Sequence, residues 1–426
     1  MSISRNRKAP LRVTAAEEAT EIFVIDSSLS RVASGMGSLD VKVRPGIYKV
    51  RLRSGASMED TLVEVQEGDG ATVAPRAIAF DSAAPLHGTL TTHEPHQAAW
   101  ARASEPPSLH WGTGAGLFVM VRDPAIVRGK ESRTEPWAGI TVQDAEGRTL
   151  GAMDKDGERM QEVGVGWLHA EADPGMHLIC VDTGLRGVQC MAVHLSRGWQ
   201  TQVILATATV MRSRVAGERE DGPATLRRSL RRAVPADAAI FYARPGGAQD
   251  PAQAQELLRL TELVRQGLTQ GRPTAPLAEV KSGRWSATGN PMLALLTGYV
   301  EAAKPKPDAR LLRSLAGELA AELPGHPDVL ALHLLAGGSL TPRRKGVSTI
   351  TYPAQWVAPN PDDPAGRPQL LQPPMLAAGL PALLGAMDPA PGSLVQRIKE
   401  SLLPGAPWLV WRRTAATRMR SAQSAR

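Results

Sequence analysis

The segment that decides the fold of the N-terminal half spans residues 39–52 and reads LDVKVRPGIYKVRL. Apolar and polar residues alternate on both sides of Pro45-Gly46, which is typical of two strands that each bury one face and are joined by a turn. The alternating apolar positions are Leu39, Val41 and Val43 before the turn, and Tyr48, Val50 and Leu52 after it.

The same plan returns about 129 residues later, around Pro174-Gly175. The matching positions are Leu168, Ala170 and Ala172 before that turn, and His177, Ile179 and Val181 after it. We therefore predict two antiparallel β-sandwich modules, module 1 over residues 19–80 and module 2 over residues 115–210. A connector at 81–114 joins them, with one short helix near residues 94–104.

Past residue 210 the apolar period lengthens to that of a helix. Helix starts are indicated at Asp250-Pro251, Asn290-Pro291, Asp308 and Pro327, where a capping residue or a first-turn proline precedes an apolar stripe. Two more helices are predicted near 374–387 and 393–403. Residues 236–411 thus form an irregular α-helical bundle with a proline-rich loop at 338–373, and the fold class is α+β multidomain.

The net charge of +7 is concentrated at the chain ends. The first twelve residues carry +4 and the last fifteen carry +5, so the chain between them is slightly acidic. Residues 1–18 and 412–426 are predicted to be disordered basic ends. Since a nucleic-acid-binding fold places positive charge on a structured face, we expect no specific nucleic-acid partner.

A second basic stretch, at 211–235, separates the two halves. We interpret it as a linker, which is either a protease-sensitive site or, as the favoured interpretation, a solvated hinge or the first turn of a helix. Its arginines are Arg212, Arg214, Arg219, Arg227, Arg228, Arg231 and Arg232.

With two cysteines, no signal-like apolar segment and no apolar run near ~18 residues, the sequence predicts a cytoplasmic protein without a membrane span. The two cysteines themselves are predicted to face each other. A turn at 183–187 would place Cys180 opposite Cys190 on neighbouring strands, close enough to bridge under oxidation. Buried reduced thiols are the favoured interpretation in a reducing compartment.

Four histidines are the densest set of candidate metal ligands: His87, His93, His96 and His110. Surface histidines are the favoured interpretation, because Pro95 interrupts the set and no cysteine is near. The sequence contains no G-x-S-x-G, Walker or H-E-x-x-H motif, so we expect no enzymatic activity and no cofactor.

Two segments resemble known families. The run Val43–Val50 resembles the strand pair of PEGA-like and carboxypeptidase-regulatory-like β-domains, over roughly residues 19–75. The runs 290–296 (NPMLALL) and 324–329 (PGHPDV) are similar to an uncharacterised helical region of bacterial multidomain proteins that accompany caspase-like or trypsin-like proteases in conflict (defence) systems. This resemblance implies a non-catalytic partner, adaptor or cleavage substrate of such a protease.

Three hypotheses follow for function. The leading one is a protein-interaction component, with Trp356 in the proline-rich loop as a candidate anchor for a partner or for the protein's own core. The second is a small-ligand or glycan-binding protein that uses an exposed aromatic platform. Its candidates are Trp100, Trp111, Trp137 and Trp167. The third is a metal-dependent hydrolase built on the four histidines.

Overall fold

The computed structural model describes residues 8–17, 19–91, 93–102, 106–125, 135–184, 187–210, 230–244, 251–271, 290–340, 357–360 and 367–413. Several β-sheets occupy the N-terminal part, and packed helices occupy the C-terminal part. The predicted α+β class is confirmed.

The strands are β1 (Ala9–Thr14), β2 (Glu21–Ile25), β3 (Arg31–Met36), β4 (Ser38–Val43), β5 (Gly46–Ser54), β6 (Ser57–Val65), β7 (Ala71–Val73), β8 (Leu109–His110), β9 (Ala115–Arg122), β10 (Ile140–Asp144), β11 (Thr149–Ala152), β12 (Glu158–Met160), β13 (Val165–Ala172), β14 (Gly175–Asp182), β15 (Val188–Leu195), β16 (Gln200–Val210), β17 (Leu230–Ala233), β18 (Ala239–Ala243), β19 (Val357–Ala358), β20 (Gln369–Leu370), β21 (Asp388–Pro389) and β22 (Val410–Arg412). The helices are α1 (Glu94–Arg102), α2 (Met153–Asp156), α3 (Pro251–Thr269), α4 (Pro291–Ala302), α5 (Ala309–Glu322), α6 (Pro327–Leu335), α7 (Leu380–Ala386) and α8 (Leu394–Ser401).

Module 1 contains β1 to β7 in the order β6-β5-β2-β3-β4-β1-β7. Its inward side chains, among them Leu11, Val24 and Val50, form a core of their own. The position of β1 contradicts one prediction, because this strand lies within residues 1–18, which we expected to be disordered. Its alternating Ala9, Leu11 and Val13 are buried, and the strand pairs with β4 and β7.

The Pro-Gly turns in the two modules have the same role. Pro45-Gly46 connects β4 to β5, yet β4 pairs with β1 whereas β5 pairs with β2 and β6. Pro174-Gly175 likewise connects β13 and β14, which belong to different sheets. Gly46 and Gly175 have φ angles of +151° and +139°, in a region that glycine adopts at no steric cost. Each turn therefore carries the chain from one set of strands to another instead of forming a hairpin.

Module 2 is made of two sheets packed around one core. One sheet has the order β11-β10-β14-β15-β22, and the other has the order β12-β13-β9-β16-β17, with β18 also pairing β16 and β8 pairing β13. Most pairs are antiparallel, as predicted, but β9 and β16 run parallel. The second sheet is therefore mixed.

The helical half starts later than predicted and is not a separate unit. β17 and β18 extend the mixed sheet beyond residue 210, and the first helix after them, α3, begins at Pro251. β22, at the far end of the described chain, completes the other sheet by pairing with β15. Apolar side chains of module 2 and of the helices belong to one hydrophobic core, in which Val203 and Leu296 are both buried. The described part of residues 236–411 thus contains the helices and the small sheet β19-β20-β21, and it is bounded by β18 and β22, which belong to the sheets of module 2.

The helix starts agree with the sequence. Asn290 caps α4 by accepting a hydrogen bond from the Leu293 amide, and Asp308 caps α5. Pro327 is the first residue of α6. None of the described helices is both long and apolar enough to span a bilayer.

Candidate functional site

The four candidate metal ligands do not come together. His87 and His110 are exposed at separate places, and His110 lies 3.5 Å from Glu171. His96 is buried and its ring centroid lies 5.2 Å from that of His93. Among the residues that the structure describes, no group of three or more histidine, cysteine, aspartate or glutamate side chains is placed to hold a metal ion.

His96 instead takes part in a buried clamp centred on Arg122, the last residue of β9. The Arg122 guanidinium donates to the carbonyls of Ser82 (2.8 Å) and Ala83 (2.5 Å) and to the His96 Nδ1 (3.3 Å). His96 then donates from Nε2 to the Val163 carbonyl at 2.8 Å, and burial lowers its pKa to about 4. The ring is neutral at pH 7, and its contacts fix the connector on module 2.

The four tryptophans proposed as a ligand platform differ in exposure. Trp100, Trp137 and Trp167 are buried, and Trp100 donates its indole hydrogen to Gln202 Oε1 at 3.1 Å. They belong to the protein core, which corrects their candidacy as a surface platform. Trp111 is half-buried and lines a cavity of about 250 Å³.

Cys180 and Cys190 lie directly opposite each other on β14 and β15, in the register that the sequence indicated. The sulfurs are joined as a disulfide, and both residues are buried. The structure thus shows the bridged form rather than the reduced thiols that we favoured. The bond links two neighbouring strands of one sheet.

Of the seven arginines in the predicted linker, the structure describes Arg231 and Arg232. Arg212, Arg214, Arg219, Arg227 and Arg228 lie outside the described residues, as does Trp356. Arg231 and Arg232 belong to β17, so they are not part of a linker. Arg231 donates from Nε to the buried Asp123 carboxylate at 2.8 Å. Val210 of β16 pairs with Leu230 of β17, so the two residues that flank the segment 211–229 lie next to each other.

A fully buried polar network was not predicted. Tyr242 of β18 contacts His326 Nε2 through its hydroxyl at 2.8 Å, and His326 Nδ1 accepts from the Asp328 amide at 3.1 Å. Asp328 accepts backbone hydrogen bonds from Met375 (2.7 Å) and Leu376 (3.0 Å). The network therefore joins module 2, the start of α6 and the segment before α7.

Burial dominates the electrostatics of this network. It raises the pKa of Asp328 to about 7 and lowers that of His326 to about 3. The tyrosine, histidine and aspartate side chains are the ones that acid–base catalysis uses, but all three are closed off from solvent. Each also forms its hydrogen bonds with a backbone group or with another side chain of the network. The arrangement suits the joining of segments better than chemistry on a substrate.

The signal for this network was present in the sequence. His326 and Asp328 fall inside the PGHPDV run that carries the resemblance to the helical region of protease-associated proteins. The remaining partners, Tyr242 and the backbone amides of residues 375 and 376, are distant in sequence. The network could therefore not be predicted from the PGHPDV run alone.

An exposed apolar surface lies on module 1, on the outward side of β2, β5 and β6. We call this the outer face, and it is defined by Phe23, Ile25, Ile47, Met58 and Leu62. The last three are 61%, 59% and 72% exposed. Leu62 pairs with Lys49, and Ile47 pairs with Glu64 one step along the same two strands, so these apolar groups are close neighbours.

Charged pairs surround these apolar groups. Arg51 forms a bidentate ion pair with Asp60, in which Nε donates to Oδ1 at 2.7 Å and Nη2 donates to Oδ2 at 2.9 Å. This pairing lowers the pKa of the Asp60 carboxyl to about 2. Arg53 pairs with Glu21 and lies over the Phe23 ring at 4.9 Å. The arginines of β5 are thus neutralised across the sheet. Glu59 and Glu64 are further exposed acids on β6.

β6 is also the edge of the sheet. It is the first strand in the order of module 1, and along Ser57–Val65 its register partners belong to β5. No other described strand covers its free side. An uncovered edge offers backbone donors and acceptors to another extended chain.

No protein-family model and no curated protein matches the sequence. Among solved structures, the chain is similar to the Bacillus anthracis TIE protein, with 11% sequence identity and a TM-score of 0.18. The match covers 45% of this chain and 32% of that one, so the chain spans about a third of that structure's length. The likeness is distant, and no function is inferred from it.

Proposed function

We propose that this chain is a non-catalytic protein-interaction component whose outer face on module 1 binds an extended segment of a partner protein. The observation that carries the proposal is the group of exposed Ile47, Met58 and Leu62 on adjacent strands at an uncovered sheet edge. Single exposed apolar residues are common, but Ile47 and Leu62 are diagonal neighbours on the outer face. Met58 lies four residues before Leu62 on the same face of β6, beyond the Arg51–Asp60 pair, and exposed apolar groups of this kind beside a free edge are typical of an interaction site.

The edge strand also indicates the chemistry of the partner. A strand added to β6 would form backbone hydrogen bonds and place alternate side chains over the outer face. Those side chains would be apolar where they meet Leu62 and Met58. Over the outer face, lysine or arginine would be favoured near Glu64, because Arg51 and Lys49 already contact Asp60 and not Glu64. The partner segment is therefore extended, partly apolar and basic.

The kind of partner is proposed from the resemblance of the helical half. Proteins with similar NPMLALL and PGHPDV runs accompany caspase-like or trypsin-like proteases in bacterial defence systems. In this proposal the chain acts as an adaptor or cleavage substrate of such a protease. Residues 211–229 are the proposed cleavage segment, since they are rich in arginine and both flanking strands are held in place.

A role without catalysis is supported by the state of the best catalytic candidates. His326, Asp328 and Tyr242 are buried and committed to the network described above. His96 is committed to the clamp around Arg122.

A peptide-selection experiment tests the docking proposal. A displayed library of twelve-residue or similar peptides is selected on the unaltered full chain, with no selection step on any variant. We expect enriched peptides to alternate apolar residues with lysine or arginine. Methylation of alternate backbone nitrogens should abolish their binding, because an added strand depends on those donors.

The matched control is L29D. Leu29 is 77% exposed and lies in the turn between β2 and β3, so it carries the same change outside the outer face. L62D should weaken a selected peptide at least tenfold, and L29D should leave it within twofold. Peptides that bind L62D as well as the unaltered chain would exclude the outer face as the docking site.

A further inference from the structure

A second surface, distinct from the outer face, lies on module 2. It is the cavity of about 250 Å³ beside Trp111, at the end of the module where the Pro174-Gly175 turn lies. Its walls come from the loop before β9, the β10–β11 turn, the start of β14 and one residue of the proline-rich segment. The side chains that matter for recognition are Trp111, Asp144, Arg148, Asp173, His177 and Gln372.

Trp111 supplies an apolar wall that is fixed in place. Its backbone amide donates to the Glu171 carbonyl at 2.8 Å. Its ring packs against Gly151, since a Cβ added at Gly151 would lie 2.7 Å from Trp111 Cζ2. A tryptophan face of this kind stacks on the carbon-bound hydrogens of a sugar ring.

Several polar groups around Trp111 keep hydrogen-bonding capacity. Asp173 Oδ1 accepts from the Thr113 amide at 3.0 Å, and its Oδ2 accepts no hydrogen bond from the described part of the chain. His177 donates from Nδ1 to the Gly175 carbonyl, so its neutral ring has Nε2 as an acceptor. Gln372 Oε1 has no hydrogen-bond partner among the described residues.

Asp144 has a positioning role, because both of its carboxylate oxygens already accept hydrogen bonds from Arg148. It accepts from the Arg148 amide at 2.8 Å and from Arg148 Nε at 2.6 Å. Asp144 therefore positions the Arg148 guanidinium at the cavity, where the remaining N–H groups are able to donate to hydroxyls. The cavity thus offers donors and acceptors on several sides of one aromatic wall.

The net charge of the side chains that line the cavity further restricts the class of ligand. The cavity is lined by the carboxylates of Asp144, Glu146 and Asp173 and by one guanidinium, that of Arg148, which pairs with Asp144 and Glu146. Burial lowers the pKa of His177, so that ring adds no positive charge at pH 7. The balance is negative, which disfavours acidic sugars and accommodates neutral or amino sugars.

We infer that the cavity beside Trp111 is a binding site for one neutral or amino-substituted hexose unit. Trp111 stacks on the sugar ring, Arg148 and Gln372 contact hydroxyl groups, and His177 and Asp173 accept hydrogen bonds from hydroxyl or ammonium groups. The site is independent of the outer face, and the chain then joins a protein partner and a saccharide through different modules.

Ligand-observed saturation-transfer NMR and calorimetry on the full chain test this inference. The probes are glucose, galactose, mannose, N-acetylglucosamine, glucosamine and glucuronic acid at concentrations up to about 10 mM, the range of weak binding. We expect saturable binding of at least one neutral or amino hexose, with glucuronic acid at least tenfold weaker. Silence of all the neutral and amino hexoses would overturn the inference. So would equal binding of tetramethylammonium, which has charge but no hydroxyls.

Three variants locate the site. W111A should weaken the bound hexose at least tenfold, whereas W111F should stay within about threefold because it keeps an aromatic wall. G151A displaces the Trp111 ring without removing it and should also weaken binding, which covers the case in which W111A does not fold. L62D, on the outer face, should leave hexose binding unchanged. Unaltered binding in both W111A and G151A would place any sugar elsewhere.

Discussion

Val210 and Leu230 lie opposite each other on the antiparallel strands β16 and β17, so the arginine-rich stretch between them begins and ends at the same place. Beyond it, β18 returns to the same β16, and β22 pairs with β15. A cut between these two residues would therefore separate the chain into two segments that share sheets and one hydrophobic core.

We expect a chain cut by trypsin between Arg212 and Arg228 to stay together. Under native conditions the two fragments should elute as one species in size-exclusion chromatography, and they should separate in denaturant. The reason is that the described residues on both sides of the cut share sheets and one hydrophobic core. Fragments that elute separately without denaturant would contradict this view and restore the idea of two independent halves.

Trp408 should be one of the most costly positions to change in the C-terminal half. It is fully buried, and its indole donates to the Ala238 carbonyl at 2.7 Å, beside the start of β18. We expect W408A to lower the free energy of unfolding by about 3–5 kcal/mol, through loss of packing. W408F should lower it by about 1–3 kcal/mol, because the Ala238 carbonyl loses its donor.

Urea unfolding followed by circular dichroism measures both effects of changing Trp408. The control is L62A at an exposed position, which should change stability by less than about 0.5 kcal/mol. Equal unfolding midpoints for W408A and the unaltered chain would show that the contact to β18 is not needed.

Asp328 and His326 exchange protons with solvent in opposite senses on folding. Burial raises the pKa of Asp328 from 3.8 to about 7 and lowers that of His326 from 6.5 to about 3. Between about pH 4 and 6.5 the folded chain thus holds a proton on Asp328 that the unfolded chain has released. It also lacks one on His326 that the unfolded chain has bound. The two contributions to the pH dependence of stability offset each other.

We expect D328N to remove that balance. On acidification from pH 6.5 to 4, its free energy of unfolding should fall more steeply than that of the unaltered chain, by about 1.4 kcal/mol per pH unit. H326N should show the opposite trend and lose stability relative to the unaltered chain as the pH rises from 4 to 6.5. Urea titrations at several pH values measure both slopes. Parallel profiles for all three chains would contradict the assigned pKa directions.

Reduction of the Cys180–Cys190 bond should lower stability. The closed loop is short, and the chain-entropy argument gives about 2–3 kcal/mol for a loop of this size. Unfolding of the unaltered chain with and without dithiothreitol measures the difference, and the C180A/C190A variant should not respond to the reductant. A chain whose unfolding is insensitive to dithiothreitol would indicate that the bond contributes nothing to folding.

Local patterns in the sequence predicted local structure well. Asn290, Asp308 and Pro327 each marked a helix start because a cap or a first-turn proline acts on its immediate neighbours. The Cys180 and Cys190 register followed from a turn between adjacent strands. The outer face was not foreseen, since alternation shows which residues share a face but not which face stays uncovered.

Long-range pairing was not predictable in the same way. The Ala239–Ala243 run is apolar throughout, which does not distinguish a buried strand from a helix, and it became β18 because β16 was available to pair with it. Alternation in β9 does not indicate that residues 81–91 fold over Arg122 and bury its charge. In each case the deciding partner is remote in sequence.

The position of β22 has a consequence for synthesis. Module 1 has its own core and is complete once residues up to about 80 have been made, so it is able to fold while translation continues. The sheet that ends in β15 gains its last strand only when residues 410–412 emerge. From the synthesis of β15 until that point, the nascent chain therefore presents an unfinished sheet edge.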